Sequence, residues 1–267
     1  MIQSKTFDAA LSNWLTLHTL NRRPRTQEFN AEIVATVRKH WPDLTADTSS
    51  ISLDDLLAFA QSVAHYCPSR WNAIVSALRF ITSEANALNF RKLNQRNFVP
   101  PSQAQFKSLL AECDAAPRYQ AGLVIRFLSF TGMRITEARL LRWEDVKNDH
   151  IEVPPEITKN GKGRLIPFLP GTADVVERLM CIEHTGYVLP RENSRKAIET
   201  ACRRAGLKPM SFHCFRHLFA TRCIEQGVSI PVVARWLGHQ DGGALLSRTY
   251  FHLVEDHSRA MASRVQI

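Results

Sequence analysis

IEVPPEITKNGKGRLIPF, residues 151–168, is the stretch that decides the class of fold. Upstream of it, as far as Trp143, apolar residues recur at helical spacing. Here they give way to short runs, Ile151-Glu152-Val153, Ile157-Thr158-Lys159 and Leu165-Ile166-Pro167-Phe168, parted by Pro154-Pro155 and by Asn160-Gly161. Runs this short between Pro, Asn and Gly read as strands. Asn160-Gly161 predicts a two-residue hairpin turn, because both residues can take positive φ. Helical patterns return from Ala173 to the end. The expectation is a mainly α chain with one small antiparallel sheet in its second part.

Working back from that hairpin, helices are expected over about Gln103–Cys113, Gln120–Phe130 and Ile135–Trp143. Before them, Arg91–Ser102 (RKLNQRNFVPPS) has no amphipathic period and carries a Pro pair, so it reads as a linker. Its basic start suits a segment lying along a phosphate backbone, and equally a solvated loop. The residues before it form four helical patterns. The first runs through Phe7, Ala10, Leu11, Trp14 and Leu15, and the second, after a break at Arg22–Arg25, through Phe29, Ile33, Val37 and Trp41. Ser52, with Asp54 and Asp55 behind it, caps the third, which includes Phe59 and Val63 and is stopped by Pro68. The fourth holds Trp71, Ile74, Val75, Leu78, Ile81 and Ala85. The chain thus divides into residues 1–92, a four-helix domain; 93–102, the linker; and 103–267, a mixed α/β domain.

The 267 residues carry 34 Lys and Arg against 25 Asp and Glu, a formal charge of +9. That balance favours an anionic partner, nucleic acid first and a membrane surface second. No apolar run approaches the roughly 18 residues needed to span a bilayer. The opening MIQSKTFDAALSNW lacks the apolar core of a signal peptide. Cys67, Cys113, Cys181, Cys202, Cys214 and Cys223 include no C-x-x-C pair, which fits reduced thiols in a cytoplasmic protein.

Breaking a phosphodiester without a metal requires fixed cations facing the non-bridging oxygens, a nucleophile, and an acid for the departing oxygen. Arginine suits the first task, since its planar fork binds two oxygens and keeps its charge. The second domain holds a candidate for each part. In Thr131-Gly132-Met133-Arg134 a Thr-Gly break places Arg134 at a helix start, and Glu137, three residues on, can orient its guanidinium. His213 and Arg216 stand i, i+3 on one helical face. His213, Cys214 and His217 also permit a zinc reading, although no further ligand stands in a recognisable pattern. Gly227, Ser229, Pro231 and Gly238 punctuate a helix that ends before His239. Helix, glycine turn, helix equally describes a helix-turn-helix DNA reader. Tyr250 follows in Arg248-Thr249-Tyr250-Phe251-His252.

Arg134 within TGMRITEARLLRW, His213-x-x-Arg216, Leu237-Gly238-His239 and Thr249-Tyr250-x-His252 resemble, in this order, the signature boxes of the tyrosine recombinase (phage integrase) family. The resemblance implies a helical, SAM-like core-binding domain over residues 1–92. It implies a catalytic domain of the DNA breaking-rejoining type over 103–267. Arg134 and Arg216 match the pair that clamps the scissile phosphate, and Glu137 the acid supporting the first of them. His213 matches a proton-transfer and phosphate-contact position, and His239 a further donor. Tyr250 matches the nucleophile, which leaves a 3′-phosphotyrosine and a free 5′-hydroxyl. Counting back from Arg164, Lys159 matches the catalytic lysine that acts as the acid, with Lys162 across the turn as its rival.

By the same resemblance the enzyme needs no cofactor and no metal. Its partners would be double-stranded DNA recombination sites, on which it assembles as a tetramer across two duplexes and passes through a Holliday junction. The tail after Tyr250 would dock on a neighbouring catalytic domain. The chain's opening at the core-binding helices points to machinery without a separate arm-binding domain. Eleven positions separate His239 from Tyr250 (250 − 239), more than is usual in the family, and Asp241-Gly242-Gly243 is where a turn can absorb the excess. Two rivals remain: a helix-turn-helix regulator, which needs neither Lys159 nor Tyr250, and a topoisomerase of the type IB kind with the same chemistry.

Overall fold

The computed structural model describes residues 6–93, 100–116, 120–182, 186–190, 194–244 and 246–247. The chain divides into two compact units, residues 1–96 and 97–267, and each has its own apolar core.

The first unit is built from α1 (Phe7–Thr19), α2 (Pro24–His40), α3 (Leu53–Ser62) and α4 (Pro68–Ile81). Its core holds Phe7, Leu11, Ile33, Val37, Leu56, Phe59, Ile74 and Leu78, with Phe7 stacked on Trp41 at 4.0 Å between ring centroids. Each such aliphatic or aromatic side chain contributes about 1.5–3 kcal/mol by leaving water. Ser52 and Asp55 close α3 with a reciprocal capping box.

Four sequence expectations change here. Pro68 opens α4 at its first position, where a missing N–H costs nothing, and α3 has already ended at Ser62. Phe29 is 37% exposed, so the buried face of α2 begins at Ile33. Ala85 is buried but lies beyond α4 in a 3-10 turn, Ser83–Ala87, opened by the Thr82 hydroxyl accepting from the Glu84 N–H. Arg91 also leaves the linker reading. It donates to the carbonyls of Ala64 and Tyr66 and lies over the Trp71 ring at 4.4 Å, so its charge is committed to this unit. Residues 94–99 of the linker lie outside the described residues.

The second unit runs α5 (Gln103–Asp114), α6 (Ala121–Thr131), α7 (Ile135–Leu140), β1 (His150–Val153), β2 (Arg164–Pro167), α8 (Thr172–Met180), α9 (Arg195–Arg204), α10 (Phe212–Glu225) and α11 (Ile230–Leu237). Helix α6 is its centre and packs on α10, α8 and α5. Its buried Ile125, Phe127 and Leu128 share the core with Phe215 of α10. Strands β1 and β2 pair antiparallel, with Ile151 opposite Ile166 and Val153 opposite Arg164. Among the described residues no helix is long and apolar enough to cross a membrane, and all six cysteines are free thiols.

The hairpin is not the two-residue turn that Asn160-Gly161 suggested. Residues 154–163 connect the strands, and Ile157-Thr158-Lys159 is not a strand. Pro154 and Pro155 offer no N–H to a ladder, so the chain leaves the sheet and makes a 3-10 turn at Pro155–Ile157. Thr158 closes that turn through its hydroxyl on the Pro155 carbonyl at 2.9 Å. Of the Asn-Gly pair only Gly161 has positive φ. The third expected helix of this unit also stops early. Past Leu140 the chain pairs with residues 186–188: the Val188 N–H donates to the Leu141 carbonyl and the Trp143 N–H to that of Gly186. Trp143 then begins a 3-10 turn. Among the described residues after Ala173, residues 181–182 and 186–190 are not helical.

Candidate active site

The end of α6 sets the first functional side chain. Gly132 caps that helix at φ +62°, and a Cβ there would fall 2.5 Å from Phe219 and 2.7 Å from Leu237. Only glycine permits both the conformation and the approach. The turn delivers Arg134 to the N-cap of α7. One turn on, Glu137 is 1% exposed and accepts from the Arg134 guanidinium at 2.7 Å and from its backbone N–H at 3.2 Å. The other Glu137 contact comes from β2: Arg164 Nη2 donates to Oε2 at 2.6 Å, with its own side chain 5% exposed. Burial by itself pushes the Glu137 carboxyl up. The hydrogen bonds and charges of Arg164 and then Arg134 outweigh it and hold the group below its ordinary value.

The second anchor is the C-terminal end of α11. A helix leaves its last carbonyls without partners, and its dipole favours cations there. Three donors from different parts of the chain satisfy them. Arg164 Nε reaches the Trp236 carbonyl at 2.7 Å, and Arg216 Nη2 reaches that of Leu237 at 2.8 Å. Asn160 Nδ2 reaches that of Gly238 at 3.3 Å. Arg216, on α10 and 4% exposed, also donates through Nη1 to the Gly132 carbonyl at 2.8 Å. The α6–α7 turn, α10, β2 with its preceding loop, and the end of α11 are thereby tied into one frame. Gly238 closes α11 at φ +71°, and His239 follows it.

Three histidines stand within this frame. His213 is exposed on the face of α10, and desolvation followed by the Arg216 and Arg134 charges lowers its pKa. His239 is lowered to about 4 by desolvation first, then by Arg216, Arg134 and Arg164, against a smaller opposing effect of Asp241. Its Nδ1 is buried without a hydrogen-bond partner among the described residues. His217 is likewise lowered to about 4, by desolvation and then by His213, Arg216 and His239. All three rings are thus biased towards the neutral form, His217 and His239 most strongly, and lie in the field of the nearby guanidiniums. The His213 and His217 rings meet edge to face at 4.6 Å. Among the described residues no group of three or more His, Cys, Asp or Glu side chains could hold a metal, so the zinc reading finds no site there.

The structure thus brings Arg134, Glu137, His213, Arg216 and His239 together. Lys159 and Lys162 are both exposed in the β1–β2 connection, and Lys159 adjoins Asn160, whose amide is bonded to the Gly238 turn. Tyr250, with Arg248, Thr249, His252 and the tail to residue 267, lies outside the described residues.

Two participants escape a motif reading. In the sequence Asn160 reads as turn chemistry and Arg164 only as a landmark for counting back to Lys159. Strand alternation carries the signal for Arg164: residues two apart share a face, so Arg164 shares the buried face of Ile166. A guanidinium on an inward face requires a buried carboxylate, and Glu137 is that residue.

The model of the phage integrase family matches residues 102–257. A tyrosine recombinase XerD of Corynebacterium glutamicum is 29% identical over 155 residues, 51% of this chain and 49% of that protein. A tyrosine recombinase XerA of Saccharolobus solfataricus is 25% identical over 173 residues, 63% of this chain and 57% of that protein. The chain spans about half the length of the XerD protein it matches. In fold it is similar to a lambda integrase tetramer bound to a Holliday junction, with a TM-score of 0.79 at 17% identity over 93% of this chain and 78% of that one. It is also similar to the Tn1549 transposon integrase in complex with transposon right end DNA, with a TM-score of 0.72 at 18% identity over 97% and 99% of the two chains. The family match covers more than half of the 267 residues, and the protein is a member of the phage integrase family, the tyrosine recombinases.

Proposed function

We propose that this chain is a site-specific DNA recombinase that breaks and rejoins strands through a covalent bond to Tyr250. The observation that carries the reading is the frame in which Arg134 and Arg216 are held in place beside His213, His217 and His239. Fixed guanidiniums facing a phosphate stabilise the charge that develops on its non-bridging oxygens without reorganising at the moment of reaction. In the proposed step the Tyr250 oxygen attacks phosphorus and the bond to the 5′-oxygen breaks. The tyrosine proton passes to neutral His213, Lys159 protonates the departing 5′-oxygen, and His239 donates to the phosphate. One phosphate ester replaces another, so no nucleotide hydrolysis is needed, and attack by a 5′-hydroxyl reverses the step.

Residues 1–92 would act as a core-binding domain and 103–267 as the catalytic domain, joined by 93–102. The net charge of +9 supports a duplex DNA partner. Assembly as a tetramer on two recombination sites, passage through a Holliday junction and a cytoplasmic location are part of the same proposal, supported by the family membership.

The test uses a nicked duplex that loses a short fragment on cleavage. Native protein should be trapped as a denaturation-resistant adduct whose phosphate maps by mass spectrometry to Tyr250, and Tyr250→Phe should bind DNA and form none. An adduct in Tyr250→Phe would mean another nucleophile. No adduct in either protein would favour the regulator, and relaxation of supercoils by isolated monomers would favour the topoisomerase.

A further inference from the structure

We infer that Arg164, which takes no part in the step above, is a positioning residue that holds Arg134 and the His239 turn in one register; the inference rests on the proposed recombinase reading. Its side chain spans the two halves of the frame. Nη2 meets Glu137 Oε2 at 2.6 Å, and Glu137 in turn carries Arg134 at 2.7 Å. Nε meets the Trp236 carbonyl at 2.7 Å, three residues before His239. Between these contacts the side chain passes over Gly238, where a Cβ would stand 3.1 Å from Arg164 Cδ and 3.2 Å from Nη1. Gly238 is thus needed for its positive φ and for the room it leaves to this arginine.

Arg216 also bridges the α6–α7 turn and the end of α11, but its acceptors there, Gly132 and Leu237, are neutral carbonyls. Arg164 is bonded to a carboxylate, and the charge count explains why that matters. Glu137 with Arg134 alone would be a neutral pair, so the carboxylate that aims Arg134 would also cancel it towards an incoming phosphate. Glu137 shared by Arg134 and Arg164 leaves the group at +1. Arg164 therefore serves both alignment and charge: it fixes the Glu137 carboxylate and lets Arg134 act as a cation.

The experiment compares single-turnover cleavage of the nicked duplex, DNA affinity and melting temperature in the full chain. Arg164→Lys keeps a positive charge for Glu137, but one ammonium cannot replace a planar fork that spans Glu137 and the Trp236 carbonyl. We expect native melting within a few degrees, affinity within about threefold, and cleavage slower by about 10–100-fold, the range that a misplacement near 1 Å produces. Arg164→Met should fall further, and adding Glu137→Gln to it should recover part of the rate by removing the carboxylate that then cancels the charge of Arg134. Native cleavage by Arg164→Lys would overturn the inference, as would a Glu137→Gln/Arg164→Met protein slower than Arg164→Met. If the native protein itself forms no adduct, the recombinase reading fails. The positioning claim still meets its test in the His239 ring resonances, which Arg164→Lys should shift at unchanged melting temperature, and an unmoved His239 spectrum would overturn it.

Discussion

Changing Glu137 to Gln preserves the shape of a side chain on which two arginines depend. Glu137 is 1% exposed and faces Arg134 at 2.7 Å and Arg164 at 2.6 Å. The amide offers no charge and turns one of its ends into a donor, so two guanidiniums are left near each other without a counter-ion. Removing one partner of a buried pair costs about 3–5 kcal/mol. Arg134 keeps 27% of its side chain exposed and regains some hydration, which places the expectation at the lower end, about 3 kcal/mol. That is a large share of a domain stability of about 5–15 kcal/mol. At about 2–4 °C per kcal/mol for a domain of this size, melting of the second unit should fall by about 6–12 °C.

Acid supplies an independent check. The Glu137 carboxyl is held below its ordinary value in the folded chain. Its contribution is therefore complete above the unfolded carboxyl's pKa, about 4.3, and is lost as pH falls through the folded value. Glutamine has no such dependence, so the stability curves of the two proteins should converge as pH falls from the unfolded value through the folded one. Scanning calorimetry, with urea titrations followed by the fluorescence of Trp143 and Trp236, measures both effects. A loss under about 1 kcal/mol, or a gap that stays constant down to the acid limit, would refute the buried-bridge argument.

The histidines give a second pH prediction. His217 and His239 lie at about 4 in the folded chain and at about 6.5 when unfolded, so stability present above the latter value should fall as pH drops towards the former. Imidazole resonances followed by NMR should show both depressed and should move up when phosphate or DNA occupies the site; a free protein titrating at the ordinary value at either ring contradicts this. Non-specific DNA affinity should decline by roughly 0.9 log units per log unit of salt for each phosphate neutralised, and a flat salt dependence would argue against a DNA clamp. Lys159→Ala should cleave ordinary DNA poorly and recover on a substrate with sulfur at the bridging 5′ position, because sulfur leaves with little help from an acid. Lys162→Ala should match native protein on both substrates, and the reverse pattern would move the role to Lys162. Deleting residues 256–267 should weaken recombination more than binding to a single site; normal recombination by the shortened chain would remove the proposed docking role of the tail.

What the sequence alone determines is local or ordered along the chain. The Ser52-Asp55 cap, Gly132, Gly227 and Gly238 at helix ends, and the spacing of Ile33, Val37, Ile74 and Leu78 each report the conformation of a few adjacent residues. The mainly helical class, the single small sheet and the family resemblance follow from such signals, because capping, φ preference and side-chain period act over one or two turns.

Only the folded chain decided where competing local options ended. Residues 141–143 fit a helical pattern, but Leu141 and Trp143 bond to residues 186–188 instead. Asn160-Gly161 suits a tight turn, but two prolines had already taken the chain off the sheet. The charge arrangement of the site was hidden for a related reason. Arg164, Glu137 and Trp236 are far apart in sequence, and an arginine at the head of a strand resembles any solvated one until burial deprives it of water. Desolvation and long-range pairing are properties of the packed interior, and they turned a landmark beside the lysine loop into the bridge between Arg134 and His239.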